Sequence, residues 1–197
     1  MATHASSSRP RFARYRPSER EIQGRHFWAV PEGGICLSVF LVVSPAGDKE
    51  RVLLGRPDPR AAWESMATLE AAHVAAIGDR WILPASHLLE WESPNEAAHR
   101  VAFQQLGLSK PRLCGPEVFS ETYPSVVDPE SGLHWDVDFV YRLELPEGEI
   151  AHPPAWRDLV FHPTQSLTRA QIARGHGDIL VLCGHPLKDQ NAPPPNP

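Results

Sequence analysis

The segment that leaves this chain the fewest choices is ESPNEAAHRVAFQQLGL, residues 92–108. Ser93-Pro94-Asn95-Glu96 has the form of a capping box, with proline at the first helical position, so a helix must start there. Ala97, Ala98, Val101, Ala102 and Leu106 recur at steps of three and four, which gives the helix one apolar face. That face must be buried against another layer. Gly107 provides the left-handed stop. Glu96, Arg100 and Gln104 are spaced one turn apart and read as a column on the outward face. The adjacent amides Gln104 and Gln105 near the end are polar but uncharged, and they pose the functional question.

The layer that receives the helix is read from strand patterns. GICLSVFLVV (34–43) is β-branched and aromatic, and RVLLGR (51–56) follows after the polar GDKE turn, so a hairpin is expected. DPRAAWESMATLEAAHVAAIG (58–78) reads as a helix opened by Asp58-Pro59. Trp63, Met66, Ala67, Val74 and Ile77 form its inward stripe, and Glu70 interrupts it. RWILP reads as a short strand ended by Pro84. LHWDVDFVYRLEL (133–145) alternates as a long half-exposed strand, with Asp136 and Asp138 on one face. DLVFHP is a further strand, and SLTRAQIAR with GDILVL forms a terminal helical region broken by glycines. This order predicts an α/β (α+β) fold with a mixed sheet between helices.

Composition narrows the class. The chain has 197 residues, 42% apolar and 22% charged, as expected of one globular domain. Its net charge of −5 divides into about +4 over residues 1–20 and about −9 over the rest. An acidic body does not favour nucleic acid as a partner. No apolar run approaches the ~18 residues of a membrane span, and no hydrophobic leader precedes the domain, so the expected location is cytoplasmic. Cys36, Cys114 and Cys183 are widely spaced with no CxxC, which fits small core residues rather than disulfides or a zinc site. The expected organisation is a flexible basic arm over 1–25, a domain over 26–187 with a helical insertion at about 58–78, and a disordered proline-rich tail over 188–197.

WILPASHLLEWESPNEAAHRVAFQQLGL resembles the loop–helix–loop signature of the Nudix hydrolases. That signature runs Gly, five residues, Glu, seven residues, Arg-Glu-apolar-any-Glu-Glu-any-Gly-apolar. Glu92 falls on its first glutamate, Arg100 on the arginine, Ala102 on the apolar position and Gly107-Leu108 on the closing pair. The resemblance covers about residues 33–183 and implies a Nudix-type α/β/α sandwich with a central mixed sheet. Members of the family cleave a nucleoside diphosphate linked to another group. They use Mg²⁺ or Mn²⁺ held by helix carboxylates, because the pyrophosphate is strongly anionic and the metals are hard ions.

Here the carboxylate positions read Val101, Gln104 and Gln105, and the leading glycine is Ser86. The box, residues 86–108, is degenerate. Glutamine offers a neutral carbonyl oxygen and cannot deprotonate water. The resemblance therefore implies a family member with lost or much reduced pyrophosphohydrolase activity that binds a nucleotide-like ligand or a partner. On this reading Glu92 and Arg100 tie the loop to the helix, and glutamates restored at 104 and 105 would regain metal. Two alternatives stand beside it. One is an active hydrolase whose Mg²⁺ or Mn²⁺ is held by displaced acids drawn from Glu90, Glu96, Asp136 and Asp138. The other is a non-catalytic interaction protein, with which a homodimer is compatible. Trp91 is a candidate to occupy the pyrophosphate space. ARGHGDIL (173–180) is a candidate phosphate loop through Arg174 and His176.

Overall fold

The computed structural model describes residues 16–22, 24–29, 35–63, 66, 69, 71–124, 133–146, 148, 150 and 155–189. Strands β1 (Arg16–Ile22) and β2 (Arg25–Ala29) form an antiparallel hairpin. Residues 16–22 and 25 of the arm expected over 1–25 are therefore strand, and residues 1–15 and 23 lie outside the described residues. At the other end, Lys188 N–H donates to Leu167 O at 2.8 Å and the Asp189 carboxylate accepts from Arg169 N at 3.0 Å. These two residues of the expected tail are thus tied down, while 190–197 lie outside the described residues.

The central sheet has four strands in the order β5 (Ala85–His87), β3 (Ile35–Pro45), β7 (Leu133–Leu145) and β6 (Cys114–Pro124). β3 and β7 run parallel, from Ile35 opposite Trp135 to Pro45 opposite Leu145, and the other pairs are antiparallel. The sheet is therefore mixed. β4 (Arg51–Pro57) and β8 (Trp156–Pro163) form a separate antiparallel pair.

The hairpin expected between 34–43 and 51–56 is not formed, because both edges of β3 are taken. β7 holds one edge. On the other, Leu41 N–H donates to Pro84 O and Leu88 N–H to Leu37 O, both at 2.9 Å, extending the pairing with β5. β4 instead exchanges two 2.9 Å bonds with Ile82 through Gly55. The segment 81–87 thus stitches the two sheets together. Pro84 does not end it. Lacking an N–H, it sits at the crossover between the sheets, and the strand proper follows it.

Of the helix expected over 58–78, the described residues show Trp63 and Met66 helical, Leu69 outside any helix, and α1 over Ala71–Ile77, while 64, 65, 67, 68 and 70 lie outside the described residues. Asp58 begins a turn rather than the helix, its carboxylate accepting from Arg60 N at 2.9 Å. α2 (Pro94–Leu106) forms where its caps dictate. Ser93 Oγ accepts from Glu96 N at 3.2 Å, Glu96 Oε2 accepts from Ser93 N at 2.8 Å, and Gly107 takes φ 74°.

β3 alternates between two cores. Val39, Leu41 and Val43 face α2 with its Ala97, Ala98, Val101, Ala102 and Leu106. Phe40 and Val42 face the opposite layer, where Ile179 and Leu180 of α3 (His176–Leu182) pack. The result is an α/β/α sandwich. Val101 and Leu106 are fully buried, and burial of each is worth about 1.5–3 kcal/mol over exposure.

Candidate functional site

The loop entering α2 is fastened by an ion pair. Arg100 Nε donates to Glu92 Oε1 at 2.7 Å and Nη2 to Glu92 Oε2 at 2.8 Å, with side chains only 7% and 4% exposed. The same guanidinium donates to Ser86 Oγ at 3.1 Å and His87 O at 2.9 Å, and Glu92 Oε2 also accepts from Leu89 N at 2.9 Å. Arg100 is therefore buried, not part of an outward column. The buried carboxylate draws it in, and the fork matches that carboxylate in two parallel bonds.

The two glutamines part ways. Gln105 is fully buried. Its Oε1 accepts from Ala85 N at 3.1 Å and its Nε2 donates to Ala85 O at 2.8 Å. Its main-chain oxygen accepts from Trp156 Nε1 at 2.7 Å. The amide thus acts as a substitute strand partner, docking α2 onto β5. A carboxylate could not do this, since it has no proton for Ala85 O. Val101 of α2, one turn earlier, lies in the core packed toward β3. Gln104 is half-buried, and its Oε1 has no hydrogen-bond partner among the described residues.

These positions do not fit a hard divalent ion, since one is a core valine, one is an amide already spent on backbone and one is a neutral amide. The displaced acids do not assemble either. Glu96 is used in the helix cap on the α2 side, whereas Asp136 and Asp138 lie on the opposite face of the sheet, in register with Cys36 and Ser38. Among the described residues no group of three or more His, Cys, Asp or Glu side chains is arranged to hold a metal ion.

The strand carrying Asp136 and Asp138 is also not half-exposed on their face. Both are buried, at 3% and 1% exposure. Glu121 of β6 sits opposite Asp136. Burial, then the charges of Asp136 and Glu121, push the Asp138 carboxyl up to about 8. Burial and Asp136 push Glu121 up to about 7. Cys36, buried and hydrogen-bonded to Asp136, is pushed up to about 12. This is a proton-holding layer within the sheet.

A cleft opens on that same face. Ser38 and Phe40 of β3, Leu83, Ala85, Ser86 and His87 around β5, Asp136 of β7, and Arg174 and His176 at the start of α3 line it. Its volume is about 30 Å³. His176 Nδ1 accepts from Leu83 N at 2.9 Å, and its ring meets Phe40 edge-on at 5.0 Å. Burial, then the Arg174 charge, push the imidazole down to about 3, so it is neutral. Arg174 takes φ 59°, a left-handed conformation unusual for a side-chain-bearing residue. Of the residues expected to bind ligand, Arg174 and His176 come together here with Asp136. Trp91 does not. It is 82% exposed on a loop at φ 58° and lines no part of the cleft. Sequence reasoning missed Ser38 and His87, although the two-residue period of β3 puts Ser38 on the face of Cys36 and Phe40.

No family model matches the chain, and no curated protein matches it in sequence. Solved structures do. Those it resembles include Nudix proteins. A bifunctional NMN adenylyltransferase/ADP ribose pyrophosphatase from Francisella tularensis is 16% identical with a TM-score of 0.48, over 78% of this chain and 41% of that one. This chain therefore spans about two fifths of that protein's length. The Nudix domain of Shewanella oneidensis NrtR, complexed with ADP ribose, is 13% identical with a TM-score of 0.43, over 78% and 79%. A MutT Nudix hydrolase from Burkholderia pseudomallei is 20% identical with a TM-score of 0.44, over 70% and 92%. No helix among the described residues is long and apolar enough to cross a membrane.

Proposed function

We propose that this chain is a Nudix-superfamily protein that binds a nucleotide-like ligand, a nucleoside diphosphate derivative, without hydrolysing it through metal bound at its box. One observation carries the reading. Gln105 is fully buried with both ends of its amide bonded to Ala85, so the box helix is used to hold the sheet. The Glu92–Arg100 pair is the other surviving part of the signature, and its partners Leu89, Ser86 and His87 are likewise structural. The cleft lined by Arg174, His176 and Asp136 is the ligand's place of entry.

The test has two arms on one panel of nucleoside diphosphate derivatives. Product analysis with Mg²⁺ and with Mn²⁺ should give no turnover above background. Thermal unfolding should rise with concentration of at least one of the same compounds, because a ligand that binds only the folded state stabilises it. Turnover near ~1 s⁻¹ on any of them would sink the proposal.

A further inference from the structure

The cleft contains more hydrogen-bond donors than the protein uses. His176 is only 5% exposed, and with Nδ1 accepting from Leu83 N its proton resides on Nε2. That Nε2–H finds no acceptor among the described residues. Ser38 is 3% exposed, and its hydroxyl likewise has no partner among the described residues. Arg174 makes no hydrogen bond or ion pair among the described residues, and its guanidinium joins these two at the cleft. His176 and Ser38 are buried residues and Arg174 is partly exposed beside them, so three donors without a protein acceptor among the described residues line one opening.

We propose that Arg174, His176 Nε2–H and Ser38 Oγ–H form a metal-independent seat for a phosphoryl group. The guanidinium offers a planar fork for two oxygens, the His176 imidazole approaches from the α3 side and the Ser38 hydroxyl from the β3 side. Four donor directions suit a tetrahedral phosphoryl group better than a planar carboxylate. The volume of about 30 Å³ admits about two oxygen-sized atoms, so the tip of the ligand enters and the remainder stays in the open mouth. His176 serves as a donor that does not change charge near neutrality. Asp136 lines the same cleft and opposes an anion, which keeps the affinity of the seat modest. The seat deepens the ligand site proposed above and rests on that reading only in taking the cleft as the place of entry.

Inorganic phosphate titrated into the protein with a chelator present tests it, followed by the ¹⁵N–¹H signal of the His176 imidazole and by thermal unfolding. The His176 signal should shift with phosphate, and acetate at equal ionic strength should shift it less. Arg174→Asn removes the guanidinium while tolerating the left-handed backbone, and should weaken phosphate at least about tenfold. Asp136→Asn should tighten it several-fold by removing the opposing charge. Unchanged affinity in Arg174→Asn, a requirement for Mg²⁺, or weaker binding in Asp136→Asn would each overturn the seat, the last by making the cleft a cation site. If phosphate behaves as expected but no nucleoside diphosphate derivative binds, the seat stands and the proposed function falls. If such a derivative binds without moving the His176 signal, the seat falls alone.

Discussion

Gln105 lies with its side-chain amide against the backbone of Ala85, donating at 2.8 Å and accepting at 3.1 Å, so that a helix side chain completes the edge of β5. The sequence alone invites the opposite expectation, that glutamate at this position would regain metal. Gln105→Glu keeps the acceptor for Ala85 N but sets a second oxygen against Ala85 O, fully buried and without a proton between them. The expected cost is roughly 3 kcal/mol, since a buried polar mismatch costs about 1–3 kcal/mol and more when charged. For a chain of this size that lowers Tm by roughly 6–12 °C. Thermal unfolding with and without Mg²⁺ decides it. The loss should be the same in both, and a recovery specific to Mg²⁺ would show a metal site where the structure has a packing contact.

The Glu92–Arg100 pair makes a second, separable prediction. Removing either partner leaves the other charged, buried and facing backbone groups it cannot fully satisfy. Glu92→Gln and Arg100→Met should each cost about 3–5 kcal/mol. The double variant should cost clearly less than the two added together, because the second change removes the charge that the first one stranded. Strict additivity in chemical denaturation would mean that the two side chains do not act as a unit.

What was legible in the sequence was local. The caps of α2 and the alternation of β7 each depend on residues a few positions apart, and those elements begin and end where the patterns say. What was not legible was pairing. Ile35 and Trp135 meet in a parallel ladder across a hundred residues of chain, and nothing within either strand announces it. Once β7 and β5 occupy both edges of β3, β4 must go elsewhere, and the nearest-neighbour hairpin fails for that reason alone. The site follows the same division. The three-and-four spacing of α2 put Arg100 outward, but Glu92, eight residues back, is buried and pulls it in. Gln104 and Gln105 look equivalent in sequence. Only the position of Ala85 above one of them makes Gln105 a structural residue. Ser38 could be placed on the face of Phe40, but not in a cleft with Arg174.

Gly55 and Trp156 supply a third prediction. A Cβ built on Gly55 would stand 2.2 Å from Trp156 Cε3, and the indole is held there by its bond to Gln105 O and its edge contact with Trp63 at 4.7 Å. Gly55→Ala must therefore displace the ring. Overpacking of this kind costs about 1–3 kcal/mol, and breaking the indole bond to Gln105 adds about 1 kcal/mol. The Trp156 Nε1–H resonance should move toward the value of an unbonded indole. An unmoved resonance with unchanged stability would mean that the ring is not fixed over Gly55.

The buried carboxyls predict a specific dependence of stability on pH. Asp138 at about 8 and Glu121 at about 7 are raised above their unfolded values, so the folded state holds protons that the unfolded state has released. Their effect is absent below about pH 4, where both states are protonated, and stability falls as pH rises until the folded groups also ionise. His176 works the other way. Its folded value of about 3 lies below the unfolded one, so it stabilises above about pH 6.5 and that contribution is lost on acidification. His162 and His185, both pushed down chiefly by burial, act in the same sense as His176. Between about pH 4 and 6.5 the two sets oppose each other. Between about pH 6.5 and 8 the carboxyls act alone, and stability should fall by up to ~1.4 kcal/mol per pH unit for each group still protonated. Asp138→Asn should flatten that decline and, by removing a contribution that opposes the histidines between about pH 4 and 6.5, steepen the loss of stability on acidification, which unfolding free energies measured at about pH 5, 6.5, 7.2 and 8 can resolve. A variant that declines as steeply as the parent would place the titrating group elsewhere.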